Sequence, residues 1–376
     1  MKSLIFYLNF CIAIISGNTL FSQVTNTGLM DTTSGLKIGN VSLGVYMDVY
    51  YCFNFNQPIS EENNYFVSSN QHNSLGINLA YLDLKYSDKS IRARFIPSFG
   101  SYMNSNYAGE IGAMKFILEG NIGLKLFKNK NIWLDAGVLG SPFTNESAIS
   151  KDHLMYSRSF SAEYVPYYLS GLKLSIPIQE KVNFYGYLLN GWQQIKDKNT
   201  AKSLATQLEI RPNGKNLINW DVYVGNEQSL ENPNYRMRYF SDIYWIFEKN
   251  KWKITSCAYA GFQEVNDTLT QNKGKFWWQA NLIVRRSFKN DWNISARAEF
   301  FNDPQNAITP ISPANYSNPS FQCFSSGVSI SKKLKDKCLF RIEGRQFHAL
   351  NDAFERKNGQ RLANEYQIFS SLSIWF

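Results

Sequence analysis

From Val41 to the end of the chain, apolar and polar residues alternate with a period of two. In 292–300, Trp292, Ile294, Ala296, Ala298 and Phe300 share one face, and Asn293, Ser295, Arg297 and Glu299 share the other. Leu118, Ile122, Leu124 and Leu126 likewise oppose Glu119, Asn121 and Lys125, and Trp278, Ala280, Leu282 and Val284 oppose Gln279, Asn281 and Arg285. Successive side chains of a strand point to opposite faces, so this pattern predicts strands with one apolar and one polar surface. About sixteen such runs follow one another. Alternation alone fits a soluble sandwich as well as a membrane barrel.

The connections separate the two. Tight polar turns at Ser87-Asp88-Lys89, Lys128-Asn129-Lys130, Gln179-Glu180, Asn213-Gly214, Lys249-Asn250, Lys289-Asn290 and Lys335-Asp336 alternate with long loops. Those loops cover roughly 56–73, 102–113, 140–167, 193–202, 227–235, 265–273, 303–318 and 347–363. Short turns at one end and long loops at the other are expected of an outer-membrane barrel, and a sandwich has no reason to sort its loops this way. Asn213-Gly214 has the composition of a type I′ turn. An even strand count puts both termini at the short-turn end. No repeat, linker or charge block divides the chain.

The two ends agree. Lys2 precedes the apolar run Leu4 to Ile15, and Ser16, Gly17 and Ser22 follow, in the order of an export signal. The run is short of the roughly 20 apolar residues a spanning helix needs. Residues 1–23 are therefore expected to be a removed signal peptide and 24–376 a barrel whose strands begin at about 41. No later stretch is long and apolar enough for a spanning helix, so a membrane form must be a closed barrel. At the far end Tyr366, Ile368, Leu372, Ile374 and Phe376 lie on one face. A terminal aromatic residue on the lipid face looks like the sorting signal of outer-membrane barrels.

Composition changes the picture little. Aromatic residues make up 15%, as girdles at the two membrane interfaces would require. The net charge of +9 is spread over turns and single strand positions, without the basic cluster that nucleic-acid binding needs. Cys52, Cys257, Cys323 and Cys338 are far apart and form no metal-binding spacing. His72, His153 and His348 fall in loops, with no Gly-x-Ser-x-Gly elbow, His-Glu-x-x-His helix, phosphate loop or calcium loop beside them. Neither catalytic residues nor a metal or cofactor is expected.

Several strings resemble, in order, the OmpL-like β-barrel porin family common in Bacteroidetes. They are Asp48-Val49-Tyr50-Tyr51, Phe53-Asn54-Phe55-Asn56-Gln57-Pro58, Asn78-Leu79-Ala80-Tyr81 and Tyr102-Met103-Asn104-Ser105-Asn106-Tyr107-Ala108. Trp133-Leu134-Asp135-Ala136-Gly137, Glu146-Ser147-Ala148-Ile149, Asn190-Gly191-Trp192-Gln193, Met237-Arg238-Tyr239-Phe240 and Arg341-Ile342-Glu343-Gly344-Arg345 follow. The resemblance implies an outer-membrane pore. It names no solute and no site.

The fold expected is all-β, a single transmembrane antiparallel barrel of about sixteen strands, wide enough for a water-filled channel. The function expected is passive diffusion of small hydrophilic solutes across the outer membrane of a Gram-negative bacterium. Pore-lining candidates are Arg92, Arg94, Glu119, Lys125, Asp135, Glu209, Arg211, Asp242, Arg285, Arg297, Glu299, Arg341, Glu343 and Arg345. Inward basic residues outnumber acidic ones, which points to a mild anion preference; cross-barrel ion pairing is the plainer reading of most of them. The loop between strands 5 and 6 is the candidate constriction, with Glu146, Lys151, Asp152 and Arg158 as its charges. Its apolar Phe143, Leu154, Met155 and Tyr164 would fold it onto the inner wall. Expected partners are outer-membrane lipid, the barrel-assembly machinery, small hydrophilic solutes and two further copies in a homotrimer, with no nucleic acid. The alternatives are a non-conducting barrel with a surface-binding or structural role, and an outer-membrane barrel hydrolase. About 17 residues between signal and first strand leave no room for the plug domain of a large receptor.

Overall fold

A computed structural model of the chain describes residues 35–266, 274–309 and 320–376. The export signal expected over 1–23 lies outside the described residues. Sixteen strands form the wall: β1 (Val41–Asn54), β2 (Ser74–Ser87), β3 (Ile91–Phe99), β4 (Ile117–Phe127), β5 (Lys130–Gly140), β6 (Tyr168–Gln179), β7 (Val182–Leu189) and β8 (Ser203–Asn213). They continue as β9 (Asn216–Asn226), β10 (Tyr235–Lys249), β11 (Trp252–Val265), β12 (Gly274–Ser287), β13 (Trp292–Asp303), β14 (Phe321–Lys333), β15 (Cys338–Ala349) and β16 (Asn364–Trp375). Each strand pairs antiparallel with the next, and β16 returns to β1 from Gln367 opposite Asn54 to Trp375 opposite Tyr46. The sheet is closed. A short segment, Leu36–Ile38, folds back on the start of β1.

Alternation sets the two surfaces. In β13, Ile294 is 44% exposed on the outside, and Ser295 and Arg297 are 1% and 3% exposed inside. Leu84, Ile122, Leu124, Ile243, Leu282, Ile342 and Ile368 continue the outer apolar band. Aromatic residues edge it at both ends: Trp252, Phe288 and Trp292 near the short turns, and Tyr239, Phe262, Phe276 and Tyr366 near the loops. At the short-turn edge Arg286 lies over the Trp252 ring and Lys332 over Trp292. Long cationic side chains with apolar stems suit that boundary. The terminal Phe376 is half exposed, and its backbone exchanges hydrogen bonds with Val45 of β1.

The hairpin at Asn213-Gly214 forms by another route than expected. Neither residue has the positive φ of a type I′ turn. Instead the Asn213 carboxamide oxygen accepts from the Lys215 amide at 3.0 Å, an Asx-type closure. Left-handed backbone appears at other turns, at Asn250, Asn290, Asp291 and Lys335.

One glycine is required by packing. Gly261 of β11 faces Trp277 of β12, and a Cβ there would sit 2.1 Å from the indole. Gly344 of β15 meets nothing within 4 Å. Gly261→Val is expected to cost roughly 1–3 kcal/mol through overpacking, and Gly344→Ala to be near neutral. Thermal unfolding of the detergent-purified barrel checks both; equal midpoints for the two variants would contradict the packing account.

Candidate functional site: the lumen and the loop that enters it

Among the described residues, the buried charged side chains gather in the lumen. All fourteen pore-lining candidates from the sequence fall at inward positions of the register. They divide into two sets.

The first set lies largely toward the short-turn end. Arg92 of β3 makes a two-point contact with Asp135 of β5, at 2.7 and 2.5 Å, and lies over the Trp133 ring. Gly123 of β4 sits between them, and a Cβ there would meet the Asp135 carboxylate at 2.2 Å. Arg94 bridges Asp83 at 2.7 Å and Glu119 at 3.1 Å. Arg211 pairs with Glu209 at 2.9 Å. Lys125 reaches the Lys128 carbonyl oxygen, and Arg285 pairs with no carboxylate among the described residues. Asp242 lies directly opposite Asp221 across β9 and β10. Arg92, Arg94 and Arg211 keep part of their side chains exposed.

The second set, Arg297, Glu299, Arg341, Glu343 and Arg345 on β13 and β15, is covered. What covers it is the loop 141–167 between β5 and β6. This loop crosses the lumen to the opposite wall. It holds little regular structure, one short 3-10 turn at Ser150–Asp152 and one helical turn at Phe160–Glu163, so most of its peptide groups need partners from elsewhere. The wall supplies them. Glu343 accepts from the Tyr156 and Ser157 amides at 2.6 and 3.1 Å and from the Ser157 hydroxyl. Glu299 accepts from the Phe160 amide at 2.7 Å. Arg341 donates to the Ser150 carbonyl at 2.6 Å, Arg297 to the Ser157 carbonyl at 2.7 Å and Arg345 to the Arg158 carbonyl at 2.9 Å. Arg297 and Arg345 also pair with Glu299, at 3.2 and 2.6 Å. Asp48 of β1, Asp242 of β10 and Ser295 of β13 add anchor points at Ser150, Thr144 and Leu154, and Asn281 of β12 holds the Ser159 and Ser161 hydroxyls. The inward glycine Gly327 leaves room for the Met155 methyl.

The charges of the loop do not stand free. The Glu146 carboxylate accepts from the Ser159 amide and hydroxyl at 2.7 and 2.5 Å. Arg158 stacks on Tyr167 at 4.4 Å and faces Glu163 at 4.0 Å. Lys151 pairs with Asp152 at 3.1 Å and lies over the Trp375 ring. Burial first, then the Arg158 and Arg341 charges, hold the His153 imidazole well below its ordinary value. Burial pushes the Glu163 and Asp152 carboxyls up.

Sequence reasoning placed Phe143 and Tyr164 against the inner wall and missed the rest of the aromatic filling. Tyr65 and Phe66, Phe160 and Tyr164, Trp192 and Phe354 come from four different loops and pack on inward Tyr223, Phe240, Tyr259, Trp277, Phe301, Phe321 and Phe347. Tyr65 stacks on Phe321 at 3.9 Å. Bulky aromatics in otherwise polar loops were the available signal. At mid-height most inward side chains are buried. The partly open stretch lies toward the short-turn end, beside Lys85, Arg92, Arg94, Lys125, Arg211, Lys253 and Arg285.

The sequence model of the family described as "Putative beta-barrel porin-2, OmpL-like" matches residues 40–376. No curated protein matches the chain in sequence. Among solved structures, in-vitro folded OmpT of Vibrio cholerae is similar with a TM-score of 0.57 and 8% identity, covering 92% of this chain and 100% of that one. An anion-selective porin from Comamonas acidovorans has a TM-score of 0.58 and 8% identity, with 89% and 99% covered. Salmonella typhi OmpF, in complex with daunomycin, has 0.58 and 9%, with 89% and 97% covered. At these identities the likeness is one of fold.

Two outcomes follow from the anchoring. Glu343→Ala leaves Arg297 buried beside one carboxylate fewer and frees two amides, a loss of roughly 3–5 kcal/mol at the anchor. Hydrogen exchange of peptides spanning 150–160 should quicken in this variant, while the strands stay protected; unchanged exchange would refute the anchor. His153 gives a pH dependence. The released imidazole binds protons near its ordinary value of 6.5, and the docked one resists them. Docking is therefore full above about pH 7 and weakens as pH falls through about 6. The raised Glu163 and Asp152 work in the opposite sense, so comparison with His153→Gln at each pH isolates the imidazole. A wild type and a variant with the same pH profile would count against it.

Proposed function

The chain belongs to the OmpL-like beta-barrel porin-2 family and is an outer-membrane porin, and we propose from that premise that it passes small hydrophilic solutes by diffusion through a bore set by the 141–167 loop. The observation that carries the reading is the reach of this loop. It starts between β5 and β6 and is fixed to side chains of β1, β10, β13 and β15, so it takes up cross-section that the wall alone would leave to water. Glu146, Lys151, Asp152 and Arg158 shape this loop rather than standing as free charges at its edge.

The mild anion preference belongs to the short-turn mouth. There Lys85, Arg92, Arg94, Lys125, Arg211, Lys253 and Arg285 face the lumen, against Asp83, Glu119, Asp135, Glu209 and Glu248. Charge lining a narrow aqueous path selects for the opposite sign. Lipid contacts the exposed apolar band, and a homotrimer is the proposed assembly, a trimer form being described for OmpT of Vibrio cholerae. The burial of most mid-height inward side chains favours a second reading, a barrel whose resting form conducts little and whose long loops do the binding.

Deletion of 147–158 is expected to raise single-channel conductance severalfold in planar bilayers. The reversal potential in a salt gradient should lie on the anion side. Conductance unchanged by the deletion would remove the loop from its role, and cation selectivity would end the anion reading. Liposomes that swell with no sugar of any size would favour the non-conducting barrel.

A further inference from the structure

We propose that the outer wall of β2–β5 carries a binding site for an anionic phospholipid of the leaflet on the short-turn side. One acyl chain lies in a groove over Ala93, Gly120 and Ala136, and the headgroup phosphate lies on Lys89, Lys128 and Lys130. The inference goes beyond the diffusion reading and does not depend on conduction.

The register builds the groove. Ala93 of β3 lies between Tyr86 of β2 and Ile122 of β4, and Ile122 lies beside Ala136 of β5. One row further from the short turns, Phe95 of β3 lies between Leu84 of β2 and Gly120 of β4. Alternation turns all of these outward. Phe95 and Ile122 stand up from the wall, 45% and 62% exposed, and the alanines and the glycine leave the floor beside them low. The groove holds about 570 Å³ and opens to the lipid side, within the roughly 300–1,000 Å³ of ordinary ligand sites.

The charges stand at headgroup depth. Lys89 lies in the β2–β3 turn, and Lys128 and Lys130 at the β4–β5 turn, all exposed. Ala93 is four positions along the chain from Lys89, Ile122 six from Lys128 and Ala136 six from Lys130. At about 3.3 Å per residue and a strand tilt of about 40°, the lysines lie roughly 10–15 Å from the groove along the membrane normal. That matches one leaflet's share of a hydrocarbon core about 30 Å thick. Asp88, the acidic residue of these turns, is engaged by the Ser90 and Ile91 amides, both at 2.7 Å, and by the Tyr86 hydroxyl at 2.9 Å. The Lys130 ammonium lies 5.9 Å from the Phe127 ring, which keeps it at the aromatic edge.

Charge decides the occupant. An apolar groove in this place seats either an acyl chain or the side chains of a second copy. Lys215, Lys251, Lys289 and Lys335 continue the basic rim at the other short turns, with fewer carboxylates among them. A second copy pressed into the groove would therefore set lysine against lysine. A phosphate headgroup does the reverse, since basic residues at a membrane surface attract anionic lipid, and their long stems let them reach it from the boundary. A zwitterionic lipid offers the same chain without the net charge.

The test strips lipid from the purified barrel in detergent and titrates it with phosphatidylglycerol or with phosphatidylcholine of the same chains. Native mass spectrometry counts the lipids each barrel retains. Phosphatidylglycerol is expected to be retained at least roughly fivefold more. Lys89→Gln, Lys128→Gln and Lys130→Gln together should remove that preference. Ala93→Phe fills the floor and should lower phosphatidylglycerol retention severalfold with the lysines in place. The same loss of charge away from the groove, through Lys215→Gln, Lys251→Gln and Lys289→Gln, should leave most of the retention. The lysine variant changes only exposed turn residues and carries the test if Ala93→Phe fails to fold. The proposal is overturned if both lipids are retained equally, if the distant lysines matter as much as those at the groove, or if Ala93→Phe retains lipid like the wild type. It is also overturned if Ala93→Phe separates copies of the barrel instead of releasing lipid, because the groove would then belong to a second copy.

Discussion

Everything in this molecule depends on the pairing of β16 with β1. Inside a bilayer no water is available to peptide groups, and an open sheet would leave two edges of unpaired N–H and C=O groups in hydrocarbon. The register from Gln367 opposite Asn54 to Trp375 opposite Tyr46 removes both edges at once. The hydrogen bonds of Phe376 with Val45 extend the seam to the last residue. Closure makes one face of every strand a lipid surface and the other a lumen. Period-two alternation is the sequence's answer to that division.

Closure also creates a second problem, within the lumen. Inward side chains of a barrel this size face either water or whatever enters it. Here the 141–167 loop enters, and it carries peptide groups that its two short turns do not satisfy. The wall residues Glu299, Glu343, Arg297, Arg341 and Arg345 satisfy them. Both signs occur at the anchor because amides need acceptors and carbonyls need donors. The buried ions are mutually paired as well, which lowers the cost of removing them from water. Replacing this network by apolar side chains would leave the loop backbone without partners. The charge pattern of β13 and β15 and the irregular backbone of the loop thus require each other.

That dependence explains what the sequence made legible. Strand number, loop sorting and the lipid face follow from local patterns, each written within a few residues. The inward direction of Arg297 or Glu343 is equally local. What those residues touch is not, because Ser157 and Glu343 are far apart in the chain and meet only when the loop crosses the barrel. An alternating strand reads the same whether its polar face meets water or a loop backbone. The aromatic filling was hidden for the same reason: Tyr65, Trp192 and Phe354 sit in polar loops and find one another only inside the wall. The Asn213-Gly214 turn shows the limit of a local rule, since a side-chain closure served where a left-handed backbone was expected.

The two ends of the lumen are built to different rules, and this bears on what a solute meets. On the loop side, aromatic rings pack together, and Arg238 and Arg345 lie nearly buried among them. On the short-turn side, arginines and lysines keep contact with the lumen and are only partly matched by carboxylates. A uniformly water-filled tube would not need either arrangement. A mouth with surplus positive charge favours accumulation of anions with little regard to shape. With both in series, the wall sets which solutes pass and how fast, and it gives them no net direction, because no step of the path consumes energy.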